Sequence, residues 1–317
     1  MLASFDDLLE AVRAQPRRKL AVAYPLSPAS LRAALRAREL DIAEPLLVGP
    51  REEIQRVAGE AGLDLADVEI LDTPGELASA AAAVRAVQGG RAELLGKGLL
   101  HTDDFLRAVL DKDHGLRTGA IMSHVFVLGP SPGPGLPDRF LLITDGAMNV
   151  APDLVTKAAI IFNAVYLANC LGNHNPQVGV LAALELVTPC MPATLDAAAL
   201  ATMARRGQFP TCQVDGPFAL DNAISPEAAR LKKIPGPVAG HCDILLAPEI
   251  EAGNMLAKSY SFLAGGKVAG VLVGAAAPIV LTSRADSDEA QMLSIALAVL
   301  MAEKKREGRL KIGKLQY

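Results

Sequence analysis

Short apolar runs alternate with longer, Ala-rich helical patterns along almost the whole chain. In the first part of the sequence the strand candidates are residues 19–24, 45–49, 67–71 and 92–95. The helical patterns between and after them cover residues 28–38, 51–62, 76–88 and 103–112. Two parallel strands need a crossover connection, and a helix of this length supplies one. The alternation therefore predicts an α/β fold with a mostly parallel sheet.

The alternation breaks at one point and then resumes. Residues 123–128 and 139–144 are both strand candidates, but a Gly/Pro-rich loop with no room for a helix separates them, so we predict an antiparallel hairpin. Further strands are predicted over residues 178–181, 212–215, 243–247, 271–273 and 278–281. Further helices are predicted over residues 152–171, 195–206, 227–232 and 252–262, with a last helix reaching Glu307.

Size and charge bound the class of protein. A chain of 317 residues exceeds the length at which one core usually keeps growing, so we expect two lobes. The net charge of −4 argues against nucleic-acid partners, which need a basic face. The first residues carry acids where a signal peptide carries lysines, and the longest uncharged apolar stretch spans 14 residues (268–281), fewer than the roughly 20 that cross a bilayer. We expect a cytoplasmic protein with no membrane partner.

The cysteines carry no recognisable chemistry. Cys170, Cys190, Cys212 and Cys242 lie far apart without a C-x-x-C pair, so neither disulfides nor a zinc site is predicted. His241 precedes Cys242, but adjacent residues of an extended segment point to opposite faces and cannot form a dyad. We expect free, mostly buried thiols.

A polar cluster joins an apolar strand to the core pattern of the last helix. Its members are Ser283, Arg284, Asp286, Asp288 and Glu289. A helix N-terminus attracts phosphate or a developing anion, and an arginine beside it would hold phosphate through two hydrogen bonds. The alternative is a capped helix, because Ser283 to Asp286 and Asp286 to Glu289 both have capping-box spacing.

Five more polar clusters fall at strand ends or helix starts, where open α/β sheets bind ligands. They are Lys97–Gly98 with His101, Thr102, Asp103, Asp104 and Arg107; residues 117–124; Thr144–Gly146 with Asn149; Asp215–Pro217 with Asp221; and residues 248–254, which end at Asn254. Glycine in the first cluster would let the backbone approach a ligand. The alternatives are a cap by Thr102 or Asp103 and a turn at Asp145–Gly146. No carboxylate spacing selects a metal, and none is predicted.

Seven ordered segments together resemble a known family. They are GKGLLHTDDFLRAVL, RTGAIMSHVFVL, LLITDGAMNVAP, TPCMPATLDA, DGPFALDNAISPEAA, DILLAPEIEAGNMLAKS and PIVLTSRADSDE. Their order and spacing resemble the phosphate acetyltransferase/phosphate butyryltransferase family, closer to its butyryltransferase branch, over residues 19–303. The resemblance implies reversible transfer of a short acyl group, acetyl or butyryl, between coenzyme A and inorganic phosphate. CoA is then a substrate, no further cofactor is needed, and the enzyme is a homodimer.

The resemblance also implies an architecture and a site. Two α/β/α lobes flank a cleft: residues 1–147 with 283–317 form the first lobe, and residues 148–282 form the inserted second lobe. Ser283 then stabilises the transition state and Arg284 binds the phosphoryl group. From the polar clusters described above, the candidate contacts to substrate are Lys97, His101, Thr102, Arg107, Asp215 and Asn254.

One position departs from the family pattern. In the acetyltransferase branch an aspartate follows the serine by seven residues and is proposed to deprotonate the CoA thiol, whereas this chain has Ala290 there. On a helix Asp286 and Glu289 would share a face, so we expect Asp286 to take this role, with Glu289 as second choice and Asp288 facing solvent.

Two rival functions stay open at this point. The missing aspartate is compatible with a catalytically inactive acyl-CoA-binding regulatory protein. A metal- and NAD-dependent decarboxylating dehydrogenase would share the two-lobed architecture. It would, however, need three metal-binding aspartates and a catalytic lysine/tyrosine pair, and none of the four tyrosines lies in such a motif.

Overall fold

A computed structural model describes residues 1–130, 138–283, 285–308 and 311–315. Within these ranges the helices are α1 Phe5–Arg13, α2 Pro28–Glu39, α3 Arg51–Glu60, α4 Gly75–Gln88, α5 Thr102–Val109, α6 Leu154–Cys170, α7 Pro192–Arg205, α8 Leu220–Ile224, α9 Pro226–Leu231, α10 Ile250–Phe262 and α11 Asp288–Glu307. The strands are β1 Arg18–Ala23, β2 Ala43–Gly49, β3 Glu69–Asp72, β4 Leu94–Lys97, β5 Ser123–Leu128, β6 Leu141–Thr144, β7 Gln177–Leu181, β8 Gln213–Phe218, β9 Ile244–Leu246, β10 Val268–Val273 and β11 Ile279–Val280. None of the helices described is long and apolar enough to span a membrane.

The chain forms two compact units. The first unit comprises residues 6–120 and 269–307, and the second comprises residues 1–5, 121–268 and 308–317. These bounds differ from the predicted lobes, which divide the chain at 147/148 and 282/283. The difference at the first division follows from pairing, because the β5–β6 hairpin pairs through β6 with β9 and so lies in the second unit.

The first unit contains strands in the order β3-β2-β1-β4-β11-β10. From β3 to β11 in this order, each pair of neighbouring strands is parallel. Strand β10 pairs antiparallel with β11. Apart from β3, whose residues are half-buried or exposed, the strands are largely apolar runs buried on both faces, as expected for parallel strands between two helix layers. Helices α2 and α11 pack against each other in this unit. The predicted α/β class with a mostly parallel sheet is confirmed.

The second unit contains strands in the order β5-β6-β9-β7-β8. The β5–β6 pair is antiparallel, with Val125 opposite Thr144, so the predicted hairpin is confirmed. The strands β6, β9, β7 and β8 then run parallel. Their carboxyl ends therefore meet at one edge of the sheet.

Three of the differences from the predicted element bounds bear on the candidate site residues. Strand β8 continues to Phe218, so Asp215 lies inside the strand and not at its end. Helix α11 begins at Asp288, later than the acidic segment suggested. Strand β1 ends at Ala23, and Tyr24 has a positive φ of 53°. Helices α1 and α8 were not predicted.

A buried ion network ties the end of α11 to the start of β1. The Glu303 side chain is 4% exposed and contacts the guanidinium groups of Arg306, at 2.7 Å, and of buried Arg18. Arg18 also contacts Glu93 at 2.6 Å. Hydrogen bonds from Arg306 and then Arg18 hold the pKa of the Glu303 carboxyl below its usual value.

We expect Glu303→Gln to lower the free energy of unfolding by about 2 kcal/mol at neutral pH, because the change leaves the buried Arg18 charge short of a partner. A carboxyl with a lowered pKa stabilises the fold above its unfolded pKa, and this contribution is lost as pH falls through the folded value. Urea titrations should therefore show the deficit shrinking below about pH 4.5. Glu39→Gln removes an exposed partner of Arg36 and should cost under about 0.5 kcal/mol. Equal losses in both variants at neutral pH would contradict this assignment.

Candidate active site

The carboxyl ends of the parallel strands of the first unit meet at one edge. Strands β2 and β3 lie on one side of β1, and β4, the next strand along the chain, lies on the other side. The crevice where strand order reverses is the usual ligand site of an open α/β sheet. Here it lies between the segments that follow β1 and β4. Strand β11 pairs with β4 on its far side, with Val280 opposite Gly96, so the segment after β11 emerges at the same edge.

Ser283 and Asp286 form a closed turn after β11. The Asp286 carboxylate accepts a hydrogen bond from the Ser283 N–H at 2.7 Å, and the Asp286 N–H donates to the Ser283 carbonyl oxygen at 3.2 Å. The Ser283 Oγ accepts from the Ala285 N–H at 3.3 Å. That bond uses an oxygen lone pair and keeps the hydroxyl proton for donation. Both side chains are half-buried, so they are in part accessible.

The N-terminal cap of α11 is not Ser283. The Ser287 Oγ accepts a hydrogen bond from the Ala290 N–H at 3.1 Å, one residue before the helix begins. Neither capping-box alternative predicted for Ser283 or Asp286 is therefore correct. Arg284 lies outside the described residues.

The acidic residues at the start of α11 do not share a face as predicted, because Asp286 precedes the helix. Glu289 lies in the first turn and is exposed. Asp288 was expected to face solvent; it is partly exposed and forms an ion pair with Arg32 of α2. Of Asp286, Asp288 and Glu289, it is Asp286 whose carboxylate is hydrogen-bonded to Ser283.

Lys97 ends β4 and is 5% exposed. Its Nζ donates to the carbonyl oxygens of Gly98, at 3.2 Å, and Leu100, at 3.1 Å. A buried ammonium group needs such acceptors, because leaving water without them is costly. The lysine thus holds the turn between β4 and α5 in shape.

The glycine of this turn is required by neighbouring backbone. A Cβ on Gly98 would lie 2.3 Å from the Tyr24 carbonyl oxygen and 2.6 Å from that of Ala23. The Gly98 N–H donates to Ala23 and the Leu99 N–H to Tyr24, each at 2.8 Å. The segments after β1 and β4 are thereby joined at the crevice.

Tyr24 lies at the crevice, although the sequence did not single it out. It is half-buried at the end of β1, where a positive φ is unusual for a bulky side chain. Burial, with the nearby Glu53 and Glu76 carboxylates, raises the pKa of its phenol above the ordinary value. No sequence signal marks it, since it continues the apolar β1 pattern.

The remaining first-unit candidates lie on α5. Helix α5 begins at Thr102, so His101 occupies the cap position and makes no side-chain cap bond; the predicted caps at Thr102 or Asp103 are wrong. The His101 N–H donates to Glu76 at 3.4 Å. Arg107 is exposed near the end of the helix and pairs with Asp104 at 3.0 Å.

Asp215 and Asn254 lie in the second unit. The Asp215 carboxylate accepts from the Gly216 N–H at 2.9 Å, inside β8. Asn254 lies in the second turn of α10 and donates to the Gly146 carbonyl oxygen at 2.9 Å. Glu249 caps α10 by accepting from the N–H groups of residues 251 and 252, both at 2.9 Å.

The Asp145 corner has a structural role in the second unit. The buried Asp145 carboxylate accepts from the N–H groups of residues 147, 148 and 149 and from the Asn149 side chain at 2.6 Å. Gly146 and Gly253 let this corner approach α10, because a Cβ on Gly253 would lie 2.3 Å from the Asp145 carbonyl oxygen. The turn alternative given for this motif is confirmed.

The described residues contain neither a disulfide nor a cluster of side chains that could hold a metal ion. All four cysteines are free, and burial raises the pKa of Cys212 and of Cys242 to about 12. No group of three or more His, Cys, Asp or Glu side chains in the described ranges could hold a metal ion. The topology makes this an open α/β sheet, and its polar turns lie at the carboxyl edge, where sheets of this class bind ligands.

Comparisons with known proteins identify the family. Residues 77–299 match the family model described as phosphate acetyl/butaryl transferase. The chain is 46% identical over 304 residues to a phosphate acetyltransferase of Rhizobium meliloti, covering 96% of this chain and 95% of that protein. It is 45% identical over 305 residues to a phosphate butyryltransferase of Clostridium acetobutylicum, covering 96% of this chain and all of that protein. The crystal structure of a branched-chain phosphotransacylase from Enterococcus faecalis V583 aligns with a TM-score of 0.77 and 32% identity, over 90% of this chain and 99% of that one.

The chain belongs to the phosphate acetyl/butyryltransferase family. It is an acyltransferase that transfers an acyl group reversibly between CoA and inorganic phosphate. The predicted family, enzyme class and reaction are confirmed. The relatives named for acetyl and for butyryl transfer are almost equally similar, at 46% and 45% identity.

Proposed function

We propose that Ser283 donates its hydroxyl hydrogen bond to the oxyanion formed during acyl transfer. The observation that carries this proposal is the Ser283–Asp286 turn at the carboxyl end of β11, next to the β4 turn. A donor fixed in advance stabilises developing charge without reorganising during the reaction. The hydroxyl fits this role because its oxygen is already engaged by the Ala285 N–H.

The reaction needs charge stabilisation more than a covalent intermediate. A CoA thiolate attacks the carbonyl carbon of an acyl phosphate, the C=O electrons move to oxygen, and a tetrahedral oxyanion forms. Its collapse restores the carbonyl, breaks the C–O bond to phosphate and releases inorganic phosphate with the acyl-CoA. We assign Arg284 to the phosphoryl group on the family resemblance, since a guanidinium matches phosphate with two parallel hydrogen bonds.

We assign Asp286 as the acceptor of the thiol proton, with Glu289 as second choice. The Asp286 carboxylate is fixed 2.7 Å from the Ser283 N–H and so lies beside the proposed oxyanion donor. A free thiol has a pKa of about 8.5, so a nearby base matters most when the solution pH is well below that value.

Asp286→Asn should slow thiolysis of acyl phosphate most at low pH and progressively less as pH approaches about 8.5, where thiolate forms unaided. The asparagine oxygen can still accept from the Ser283 N–H, so the turn is expected to persist. Asp288→Asn is the matched control, because Asp288 pairs with Arg32. A rate loss independent of pH would assign Asp286 a structural role, and unchanged rates would remove it from the mechanism.

We further propose that the β4 turn contacts substrate through His101 and Thr102, with Lys97 shaping that turn from beneath. The burial of Lys97 and its two carbonyl acceptors support the shaping role. Arg107, Asp215 and Asn254, which belong to the polar clusters of the sequence, complete the proposed substrate contacts.

The finer biological assignments also rest on the resemblance. We propose a short acyl substrate, acetyl or butyryl, no cofactor beyond CoA as substrate, and a homodimer. Four free cysteines fit a reducing compartment, which supports a cytoplasmic location.

CoA release from acetyl-, propionyl- and butyryl-CoA, each with added phosphate, tests the short-chain assignment. We expect phosphate-dependent turnover with at least one of the three thioesters. The thioester with the highest kcat/KM then identifies the preferred acyl chain among the three. Acyl-CoA binding without turnover of any thioester would favour the inactive regulatory protein.

A further inference from the structure

Gln291 is a buried polar side chain on α11 that the proposed mechanism does not use. It is the fourth residue of the helix and is 7% exposed. Glutamine lies mostly at protein surfaces, and a buried amide needs hydrogen-bond partners because it has left water. The Gln291 Nε2 donates to the Asp286 carbonyl oxygen at 3.2 Å, so the side chain reaches back from the helix to the Ser283–Asp286 turn.

Hydrogen bonds between its own residues close this turn on itself. The Asp286 carboxylate accepts from the Ser283 N–H, the Asp286 N–H donates to the Ser283 carbonyl oxygen, and the Ser283 Oγ accepts from the Ala285 N–H. These bonds set the shape of the turn. They do not tie it to α11, so the position of the turn depends on contacts with neighbouring elements.

Gln291 provides such a contact. Its backbone N–H donates to the Ser287 carbonyl oxygen at 3.0 Å, and its side chain reaches one residue further, to Asp286. Two donors of one residue therefore hold consecutive carbonyl groups at the junction between turn and helix. With this bond the N–H, the carbonyl oxygen and the carboxylate of Asp286 are all engaged.

Helix α11 is a fixed support for this contact. Residues 291–301 of the helix are all buried. The Ser294 hydroxyl accepts from the Gly270 N–H of β10 at 2.9 Å and donates to the Ala290 carbonyl oxygen at 2.7 Å. The helix is thus held along its buried length, and a side chain near its start can fix the turn that precedes it.

We propose that Gln291 is a positioning residue for acyl transfer, which fixes the Ser283–Asp286 turn to α11 through the Asp286 carbonyl group. The inference rests on the roles proposed above for Ser283 and Asp286. A group that stabilises a transition state must lie within about 0.5 Å of its productive place, and a displacement of about 1 Å can lower a rate about 100-fold.

Steady-state kinetics of Gln291→Met test the inference, because methionine has a similar length and no hydrogen-bond donor. We expect kcat to fall about 10-fold, whereas the Michaelis constants for CoA and acyl phosphate should change less than about twofold. Gln291→Glu is the second variant. Its carboxylate keeps the shape of the amide but only accepts hydrogen bonds, so the same kcat loss is expected at neutral pH.

Gln291→Met in the Ser283→Ala background shows whether Gln291 acts through the turn. Residues that act as a unit have non-additive effects, so the substitution should lower kcat less than about twofold once the hydroxyl is absent. The comparison is made at about pH 8.5, where the CoA thiol ionises unaided and the Asp286 carboxylate matters least. Equal fold losses in both backgrounds would overturn the inference.

Ser294→Ala is the matched control, because it removes a buried α11 hydrogen bond that leads to β10 and not to the turn. We expect a lower melting temperature with kcat unchanged. A kcat loss as large as that of Gln291→Met would overturn the inference, because loosening of α11 would then explain both results. Wild-type kcat in Gln291→Met and Gln291→Glu would overturn it as well.

Ser283→Ala alone separates this inference from the proposed function. A large kcat loss in Ser283→Ala beside normal turnover in Gln291→Met overturns only the positioning role. Normal turnover in Ser283→Ala overturns the proposed oxyanion donor, and the positioning role with it, whatever the rate of Gln291→Met.

Discussion

Replacing Ser283 by alanine is expected to lower kcat about 100-fold while leaving the Michaelis constants for CoA and acyl phosphate nearly unchanged. Loss of one oxyanion donor typically costs this much, and the donor acts in the transition state and not in substrate binding. Two bonds of the turn do not involve the hydroxyl and should hold the loop in place: the Ser283 N–H donates to the Asp286 carboxylate, and the Asp286 N–H donates to the Ser283 carbonyl oxygen.

Ser287→Ala is the matched control for this experiment. Ser287 lies four residues away and caps α11, so its loss should lower the free energy of unfolding by about 1 kcal/mol and leave kcat unchanged. Steady-state kinetics and urea unfolding of the two variants separate the roles. Normal turnover in Ser283→Ala would remove the serine from the transition state, and a large kcat loss in Ser287→Ala would assign the chemistry to the wrong hydroxyl.

Gly98→Ala is expected to lower the free energy of unfolding by about 3 kcal/mol and to reduce activity with it. The new Cβ would lie 2.3 Å from one backbone carbonyl oxygen and 2.6 Å from another, so two chain segments must separate. Their separation breaks the bonds from Gly98 to Ala23 and from Leu99 to Tyr24 at the crevice.

Gly96→Ala provides the comparison within the same three-residue motif. A Cβ on Gly96 would meet the Leu20 side chain at 3.4 Å, an ordinary contact, so we expect a change below about 1 kcal/mol. Thermal and urea unfolding of both variants measure the difference. A Gly98→Ala enzyme with wild-type melting temperature and turnover would contradict the described geometry of the crevice.

The alternation of apolar runs and helical patterns was sufficient to predict the α/β class, and the Gly/Pro-rich loop was sufficient to predict the β5–β6 hairpin. Both are local signals, and each indicates strand direction: a helix between two strands joins parallel strands, and a short loop joins antiparallel ones. The end of β8 was missed because Gly216 and Pro217 interrupt a strand pattern. In the structure β8 is the last strand in the order of the second unit, where a proline can replace a residue with no ladder partner.

The site was predicted less completely, because its contacts depend on tertiary structure. Ser283 and Asp286 stood out as a local polar cluster, yet Asp286 and Ser287 are equally good cap residues by type, and spacing alone did not choose between them. The role of Lys97 depends on carbonyl groups that only the folded turn brings together. Tyr24 carries no local signal at all. The Arg18–Glu303 contact joins residues 285 positions apart, beyond any sequence periodicity.

Acyl phosphate formation from acyl-CoA and inorganic phosphate, followed together with CoA release, tests the central claim most directly. The account predicts that the wild-type enzyme forms acyl phosphate and free CoA in equal amounts, that both need added phosphate, and that both fall about 100-fold in Ser283→Ala. CoA release that continues without phosphate, or equal rates in the wild type and Ser283→Ala, would contradict it.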